Sequence, residues 1–410
     1  MRKLFCSHTA ADKLIGAAIW PDHRNKTRLK RGTDMKLTTA GESHGRALIG
    51  IIEGLPSNLK IDRAAIDAEL ALRQSGYGRG GRQKIERDHI QILSGVRNCL
   101  TLGSPLAFMI ENSDYKNWES CMSPDPCDTS LRTLTKVRPG HADLTGLKKF
   151  DQRDARNILE RASARETAVR VAAGSIAKQY LAELGISVGG YVKSVCGVKD
   201  TGIYAFESLS EAKKQPLFML DEKLQSEAMK LIDELKANGD TAGGVVEVRI
   251  HGLKSGFGSC MTYSEKLDAR LAGAVMSIQA IKGVEFGLGF EAADLPGSRV
   301  HDRLYMQDGN IVRKTNNAGG TEGGMSNGED IVIRAAMKPI PTLMSGLETV
   351  DYISGEPCRA AGERSDVCAI CACELIVESV AAFTLAQVVA ERLGGDNMQQ
   401  VKARYAALES

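Results

Sequence analysis

The chain has 410 residues and a formal net charge of +2, with 43% hydrophobic and 25% charged residues. That is the make-up of a globular protein with room for one large domain or two or three average ones. The near-zero balance, with only 5% aromatic residues, argues against a general polyanion binder or a base-stacking nucleic-acid module, so strong positive potential must be local. Its 42 glycines exceed the usual share of ~7%. They fall in short clusters, which suits backbone packed closely around a ligand and suits tight strand turns equally.

Residues 1–34 carry more Lys and Arg than acids, and their apolar run at 14–20 is too short for a signal-peptide core. They read as a disordered or spurious extension ahead of Met35, with a transit peptide as the alternative. From there the pattern predicts a strand at 36–40, a Gly-Glu-Ser-His-Gly loop at 41–45 and a second strand through residue 52. Asp62 caps a helix to about Arg73, with Ile66, Leu70 and Leu72 on its apolar face. A glycine loop (74–82) follows, edged by Arg73, Arg79 and Arg82. Strands are expected at 89–93 and 106–110, and the polar stretch 111–135 reads as a surface excursion.

The stretch 138–170 concentrates charge, with His141 and Arg138, Arg153, Arg156, Arg161, Arg165 and Arg170. Ser163 and Glu166 form a Ser-x-x-Glu capping box that starts a helix at Ala164, ended by Gly185. Arg161 and Arg165 lie four residues apart beside that start. This is either a capped surface helix with solvated arginines or an anion site.

Further on, strands are expected at 188–195, 243–250, 284–290 and 331–337, with helices at 222–236, 267–281 and 365–393. Residues 294–328 are polar and Gly-rich, and 401–410 read as a C-terminal tail. Strands come in neighbouring runs between long helices without a βαβ rhythm, which favours a single integrated α+β domain. No continuous apolar run approaches the ~20 residues that span a bilayer. The ten cysteines have no disulfide-like spacing and read as reduced thiols of a cytoplasmic protein. Cys368, Cys371 and Cys373 lack a second Cys/His pair, so no metal site is expected.

Each remaining loop has an ordinary explanation beside a functional one. His44 between glycines is a turn residue or a catalytic one. Two glycine pairs at 319–324 could form a mobile lid. Lys338-Pro-Ile-Pro-Thr leaves a strand with a cation and a hydroxyl on stiff backbone. Ser365 or Asp366 could cap the last helix. Walker and Rossmann glycine patterns are absent. Together these residues describe a site for a small, multiply anionic ligand, with His as acid or base near neutral pH.

The motifs Thr39-Ala-Gly-Glu-Ser-His-Gly, Gly76-Tyr-Gly-Arg-Gly-Gly-Arg, Arg138-Pro-Gly-His-Ala-Asp and Arg161-Ala-Ser-Ala-Arg-Glu, in that order, resemble those of the chorismate synthase family. So do Gly283-Val-Glu-Phe-Gly-Leu-Gly-Phe-Glu, Lys338-Pro-Ile-Pro-Thr and Glu363-Arg-Ser-Asp, and the resemblance covers about 35–400. It implies elimination of phosphate from 5-enolpyruvylshikimate-3-phosphate to give chorismate, with reduced FMN and no net redox change. It also implies a β-α-β sandwich of antiparallel sheets around helices, a homotetramer, a cytoplasmic location, and no nucleic-acid or membrane partner. By the same resemblance His44 serves the reduced flavin, His141 is the acid toward the leaving phosphate, and Asp366 relays the substrate proton. Arg73, Arg79, Arg82, Arg138, Arg165 and Arg364 would grip the substrate. Arg161, Ala162, Ser163, Gln279, Ala280, Gly323, Lys338, Pro339, Ile340, Pro341, Thr342 and Arg364 would line FMN. Arg73 and Arg79 also fall where the family contacts a nicotinamide cofactor, so NADPH enters only if the enzyme reduces its own flavin. The competing flavin-enzyme reading is an NAD(P)H-dependent flavin reductase. The cysteines at 368–373 depart from the family's small apolar residues but are small enough to pack in their place.

Overall fold

The computed structural model describes residues 34–81, 87–360 and 365–408. The expected extension, Arg82 and Arg364 lie outside the described residues, except for Asp34 at the end of that extension. Period-two alternation of apolar side chains builds two antiparallel sheets. The first contains β1 (Lys36–Ala40), β2 (Ala47–Glu53), β3 (Gln91–Ile92) and β4 (Leu106–Glu111), in the order β1-β2-β4-β3. Leu106, Phe108 and Ile110 of β4 all point into the core. Only two residues of the strand expected at 89–93 join the ladder. The Ile90 amide instead donates to Asp67 on α1 (Arg63–Gln74) at 2.9 Å.

The second sheet holds β5 (Ser187–Val195), β6 (Val198–Lys199), β7 (Gly244–His251), β8 (Ile281–Phe286) and β9 (Ile331–Met337), ordered β8-β9-β7-β5-β6. The helices after α1 are α2 (Asp143–Lys149), α3 (Arg156–Ala162), α4 (Thr167–Ala182) and α5 (Glu222–Ala237). They continue with α6 (Leu267–Met276), α7 (Ile370–Leu393) and α8 (Met398–Ala406). Helix α4 touches β2 of the first sheet, β5 of the second, and α7; α7 in turn rests on β5 and β7.

The crossing of α4 and α7 depends on Gly174, where an added Cβ would lie 2.3 Å from Ser379 Cβ. Gly174→Leu would therefore force the helices apart, at a cost of roughly 1–3 kcal/mol. Helix α7 is apolar nearly all round, as a core helix must be. It is long and apolar enough to cross a bilayer despite its glutamates, and 94% of that stretch is buried inside the protein. Two of those glutamates, Glu374 and Glu378, belong to a buried ion cluster. Lys178 reaches Glu69 at 3.0 Å and Glu378 at 2.8 Å, while Lys213 meets Glu374 and Glu378. Burial and the adjacent Glu378 push the Glu374 carboxyl well up. Against the cost of its own burial, Lys178 and Lys213 hold Glu378 far down.

Several boundaries differ from the sequence pattern. The helix expected over 267–281 stops at Met276, because the chain turns through Ala280 at φ +70° and the Ala280 carbonyl accepts from the Lys338 amide at 2.9 Å. The following strand consequently begins at Ile281 and ends at Phe286. Helix α7 begins at Ile370 rather than 365, since the Val367 amide donates to Gly78 O and the Val367 carbonyl accepts from Ala242 N. The Gly-rich section contains a hairpin, Leu304–Gln307 with Asn310–Arg313. The expected tail is largely α8, capped by Asn397 and anchored by buried Val401 and Tyr405.

Candidate active site

A cavity of about 550 Å³ opens where the 41–45 loop, the glycine loop, the 138–142 loop, the start of α4, the exit of β9 and the start of α7 converge. Among the described residues five cations line it, Arg73, Arg79, Arg138, Arg165 and Lys338, against one lining carboxylate, Asp366. One face is apolar: Ala369, Ala372, Cys373 and Ile376 recur at the spacing of a single helical stripe, joined by Ile278 and Met337. The cavity therefore offers a cationic wall and a flat apolar wall to one ligand set.

The arginines are held by carboxylates and carbonyls set behind the wall. Arg165 Nη1 donates to both oxygens of buried Asp88 at 2.6 Å, and Arg165 Nε donates to Asn112 at 2.9 Å. Arg73 Nη1 lies 3.6 Å from the same Asp88. Its Nε and Nη2 donate to Thr167 Oγ1 and Ala164 O. Burial, with help from Arg165 and Arg79, lowers Arg73 to about 9 although Asp88 opposes the shift, so it remains a cation at neutral pH. The close approach of like charges at 161 and 165, left open by the sequence, does not occur. Arg161 swings out to the Gly41 carbonyl and Thr39 at 2.7–3.1 Å, while Arg165 turns inward.

Both loop histidines sit on carboxylates. His44 Nδ1 lies 2.8 and 3.0 Å from the two oxygens of Glu160, and the His44 amide donates to Glu160 Oε2 at 2.8 Å. His141 Nδ1 makes a short contact with Asp143, which also accepts from Arg138 Nε at 2.9 Å and from the Arg138 amide at 3.1 Å. Burial works against ionisation of Asp143, but the bonds from His141 and Arg138 hold it well below the usual carboxylate range. The Glu160 carboxyl is likewise lowered, burial being outweighed first by the hydrogen bond from His44. With each Nδ1 engaged by a carboxylate, Nε2 is the second ring nitrogen of each, and at His141 it also lies 3.4 Å from Arg138 Nη2.

Asp366 does not cap α7. It accepts from the Gly80 amide at 2.6 Å and pairs with Arg79 at 3.1 Å, while Ser365 donates to the Thr342 carbonyl. The glycine loop can lie this close because Gly76 and Gly78, both at positive φ, press on Cys371 and Cys368; an added Cβ would meet them at 2.7 and 2.9 Å. Lys338 donates to Gly140 O at 2.5 Å and steadies the His141 loop. The Ser163 hydroxyl accepts from the Arg165 amide and donates to Ser43, both at 3.3 Å, so it is committed to the protein. Glu166 leaves the capping box half-formed, turning to Thr39 and Arg170 instead. On residues of the cavity wall two buried polar atoms, Arg79 Nε and Gln279 Oε1, have no hydrogen-bond partner among the described residues.

Of the expected site residues, the cavity gathers His44, His141, Asp366, Arg73, Arg79, Arg138, Arg165, Ala162, Ser163, Gln279, Ala280, Lys338, Ile340, Pro341 and Thr342. Three expected cofactor contacts are not on its wall in this chain: Arg161, turned toward Thr39; Pro339, packed by Gly243; and Gly323, in the turn of a separate hairpin. Sequence reasoning passed over Asp88, Glu160 and Trp118. Trp118 stacks on His44 with ring centroids 3.8 Å apart, a contact made from within the expected surface excursion. No group of three or more His, Cys, Asp or Glu that could hold a metal occurs among the described residues.

The family model for chorismate synthase matches residues 35–390. A chorismate synthase of Geobacter sulfurreducens is 52% identical over 385 residues, covering 90% of this chain and 97% of that protein. Chorismate synthase 1 of Bacillus cereus is 50% identical over 378 residues, with the same coverages. A chorismate synthase crystal structure superposes with a TM-score of 0.73 at 38% identity, covering 92% of this chain and 97% of that one. The chain therefore belongs to the chorismate synthase family, carbon–oxygen lyases that eliminate phosphate from 5-enolpyruvylshikimate-3-phosphate to give chorismate.

Proposed function

We propose that the cavity holds reduced FMN against the apolar stripe of α7 and 5-enolpyruvylshikimate-3-phosphate against the arginines, with His141 as the acid and Asp366 as the proton relay. The observation that carries this reading is the set of five cations and two carboxylate-backed histidines around one cavity. The substrate brings two carboxylates and a phosphate, and FMN brings a second phosphate. At ~4 Å and an effective dielectric near 20, each opposed pair of unit charges contributes roughly 4 kcal/mol of attraction. Arg73, Arg79, Arg138 and Arg165 offset that negative charge, together with Arg82 and Arg364 from outside the described residues. The residues fit the flavin: Gln279 Oε1 and Arg79 Nε are buried polar atoms awaiting a partner, and Lys338 and Thr342 supply a cation and a hydroxyl.

Reduced FMN, when bound, lends electron density to the substrate and recovers it, which leaves the overall reaction redox-neutral. The chain's own residues do the rest. His141 Nε2 delivers a proton to the departing phosphate oxygen while Asp143 takes up the charge change at Nδ1. Arg138 holds Asp143 and orients the ring. Asp366 accepts the proton that leaves the substrate ring, and Arg79, paired with it at 3.1 Å, holds the carboxylate in place. His44 presents Nε2 to the flavin side of the cavity.

The finer features belong to the same reading: a β-α-β sandwich in which α4 and α7 separate the two sheets, a catalytic domain over 35–400, a cytoplasmic homotetramer, and NADPH only for flavin reduction. The test is anaerobic turnover with reduced FMN and 5-enolpyruvylshikimate-3-phosphate, for which chorismate and phosphate are expected. Absence of both products would overturn the assignment. Repeating the assay with NADPH and no chemical reductant decides whether the chain reduces its own flavin. Aerobic NADPH oxidation without chorismate would favour the flavin-reductase alternative.

A further inference from the structure

Trp118 and Glu160 lie outside every motif that carries the resemblance, yet they enclose His44 on two sides. Glu160, on α3, grips the ring at Nδ1 and the backbone amide of the same residue, and its own carbonyl accepts from the Ser43 amide at 3.0 Å. Arg156, one turn earlier on α3, donates to Glu160 Oε1 at 3.4 Å. Against the ring face lies Trp118, nearly parallel at 24°. The guanidinium groups of Arg132 and Arg156 sit 4.4 and 5.1 Å from the Trp118 ring centre, and its indole N–H donates to Asp114 at 3.0 Å. The charged groups around His44 are thus Glu160 and Arg156 from α3, Arg132 from the 129–132 turn, Asp114 behind the indole, and Arg161 bonded to the Gly41 carbonyl of the same loop.

We propose that Glu160 and Trp118 are positioning residues: Glu160 fixes the His44 proton on Nδ1 and stabilises the imidazolium, and Trp118, braced by Arg132 and Arg156, fixes the plane of the ring so that Nε2 faces the cavity. A carboxylate at Nδ1 selects the tautomer and favours the charged form. The stack blocks rotation out of plane, a constraint the carboxylate alone does not supply. Arg132 and Arg156, over the indole, carry charge of the same sign as an imidazolium, and Glu160 at Nδ1 carries the opposite sign. The kinetic consequence rests on the function proposed above; the ring geometry does not.

The structure supplies its own reporter. Trp20 and Trp118 are the two tryptophans of the chain, so a full-length Trp20→Phe protein carries Trp118 alone. A protonated imidazole stacked on an indole quenches its emission more than a neutral one. In the flavin-free Trp20→Phe protein, emission should fall in a single transition as pH is lowered. Glu160→Gln in that background should move the transition to lower pH, and Glu160→Asp should move it less. In turnover with reduced FMN, Glu160→Gln should lower kcat by about tenfold or more, as for loss of the orienting carboxylate of a histidine dyad. KM for the substrate should change little, and Glu160→Asp should recover part of the loss. Trp118→Phe keeps an aromatic face and should retain more activity than Trp118→Leu. An emission transition that is absent, or that stays put in both Glu160 variants, would overturn the inference. So would equal kcat in Trp118→Phe and Trp118→Leu. If Glu160→Gln does not fold, the Asp variant and the Trp118 pair still decide the question. A wild-type enzyme that makes no chorismate would sink the proposed function and leave the emission result standing.

Discussion

The two histidine sites solve one problem by different routes. His141 is held by its own loop: Asp143 stands two residues on, Arg138 three residues back, and all three groups touch one another. His44 is held across the fold, by Glu160 at a separation of 116 residues and by Trp118 from another segment. Arg138 contacts both the carboxylate and the ring, with Nη2 3.1 Å from His141 Nδ1. At His44 the nearest cations act only through Glu160 or the indole. His141 Nδ1 thus meets both a carboxylate and a cation, whereas His44 Nδ1 meets a carboxylate alone. The proposed function assigns the acid toward phosphate to the first and the partner of the reduced flavin to the second.

The largest effect that could break the comparison is at His141. His141→Ala should slow turnover by at least ~100-fold while FMN binding, followed by flavin fluorescence, persists. Unchanged turnover would mean that the phosphate leaves without that acid. Asp143→Asn comes next. It keeps the shape but lets the amide present its N–H side to the ring, so kcat should fall roughly tenfold to a hundredfold. A loss confined to KM would argue that Asp143 only shapes the loop.

The acid limb of stability gives a smaller effect with a definite sign. Both Asp143 and Glu160 are lowered below their ordinary values of 3.8 and 4.5. Their contribution is complete above those ordinary values and is lost as pH falls from there through the lowered folded values. The stability gap between wild type and Asp143→Asn, measured by urea unfolding, should therefore be constant above about pH 5 and shrink steadily as pH falls below about 4. A gap independent of pH would show that the pair is not ionic. Smallest of all, a chain beginning at Met35 should keep full activity, since the family match begins at residue 35. Lost activity would give the upstream segment a role.

How much of this was legible in the sequence follows the same local-versus-distant divide. The Arg138, His141 and Asp143 group could be read directly because its members are neighbours in the chain. Asp62 as the cap of α1 and the alternation that makes β9 were legible for the same reason. Glu160 lay in the charged stretch ahead of the expected helix start at Ala164, and Asp88 fell between two predicted elements. Neither carries a signal until the fold brings it to a histidine or to a pair of arginines. Trp118 was hidden by its polar surroundings, which made 111–135 look like an excursion. The start of α7 was placed five residues early because Ser365 and Asp366 resemble a cap. Tertiary bonds to Thr342 and Gly80 claim them instead.

A single cavity that carries out a net redox-neutral elimination with reduced FMN and two histidine sites can be caught in an anaerobic single turnover in which chorismate, phosphate and the flavin spectrum are followed together. Chorismate and phosphate are expected in equal amounts, with the flavin still reduced when the turnover is complete. Flavin left oxidised in proportion to product, or phosphate released without chorismate, would contradict it.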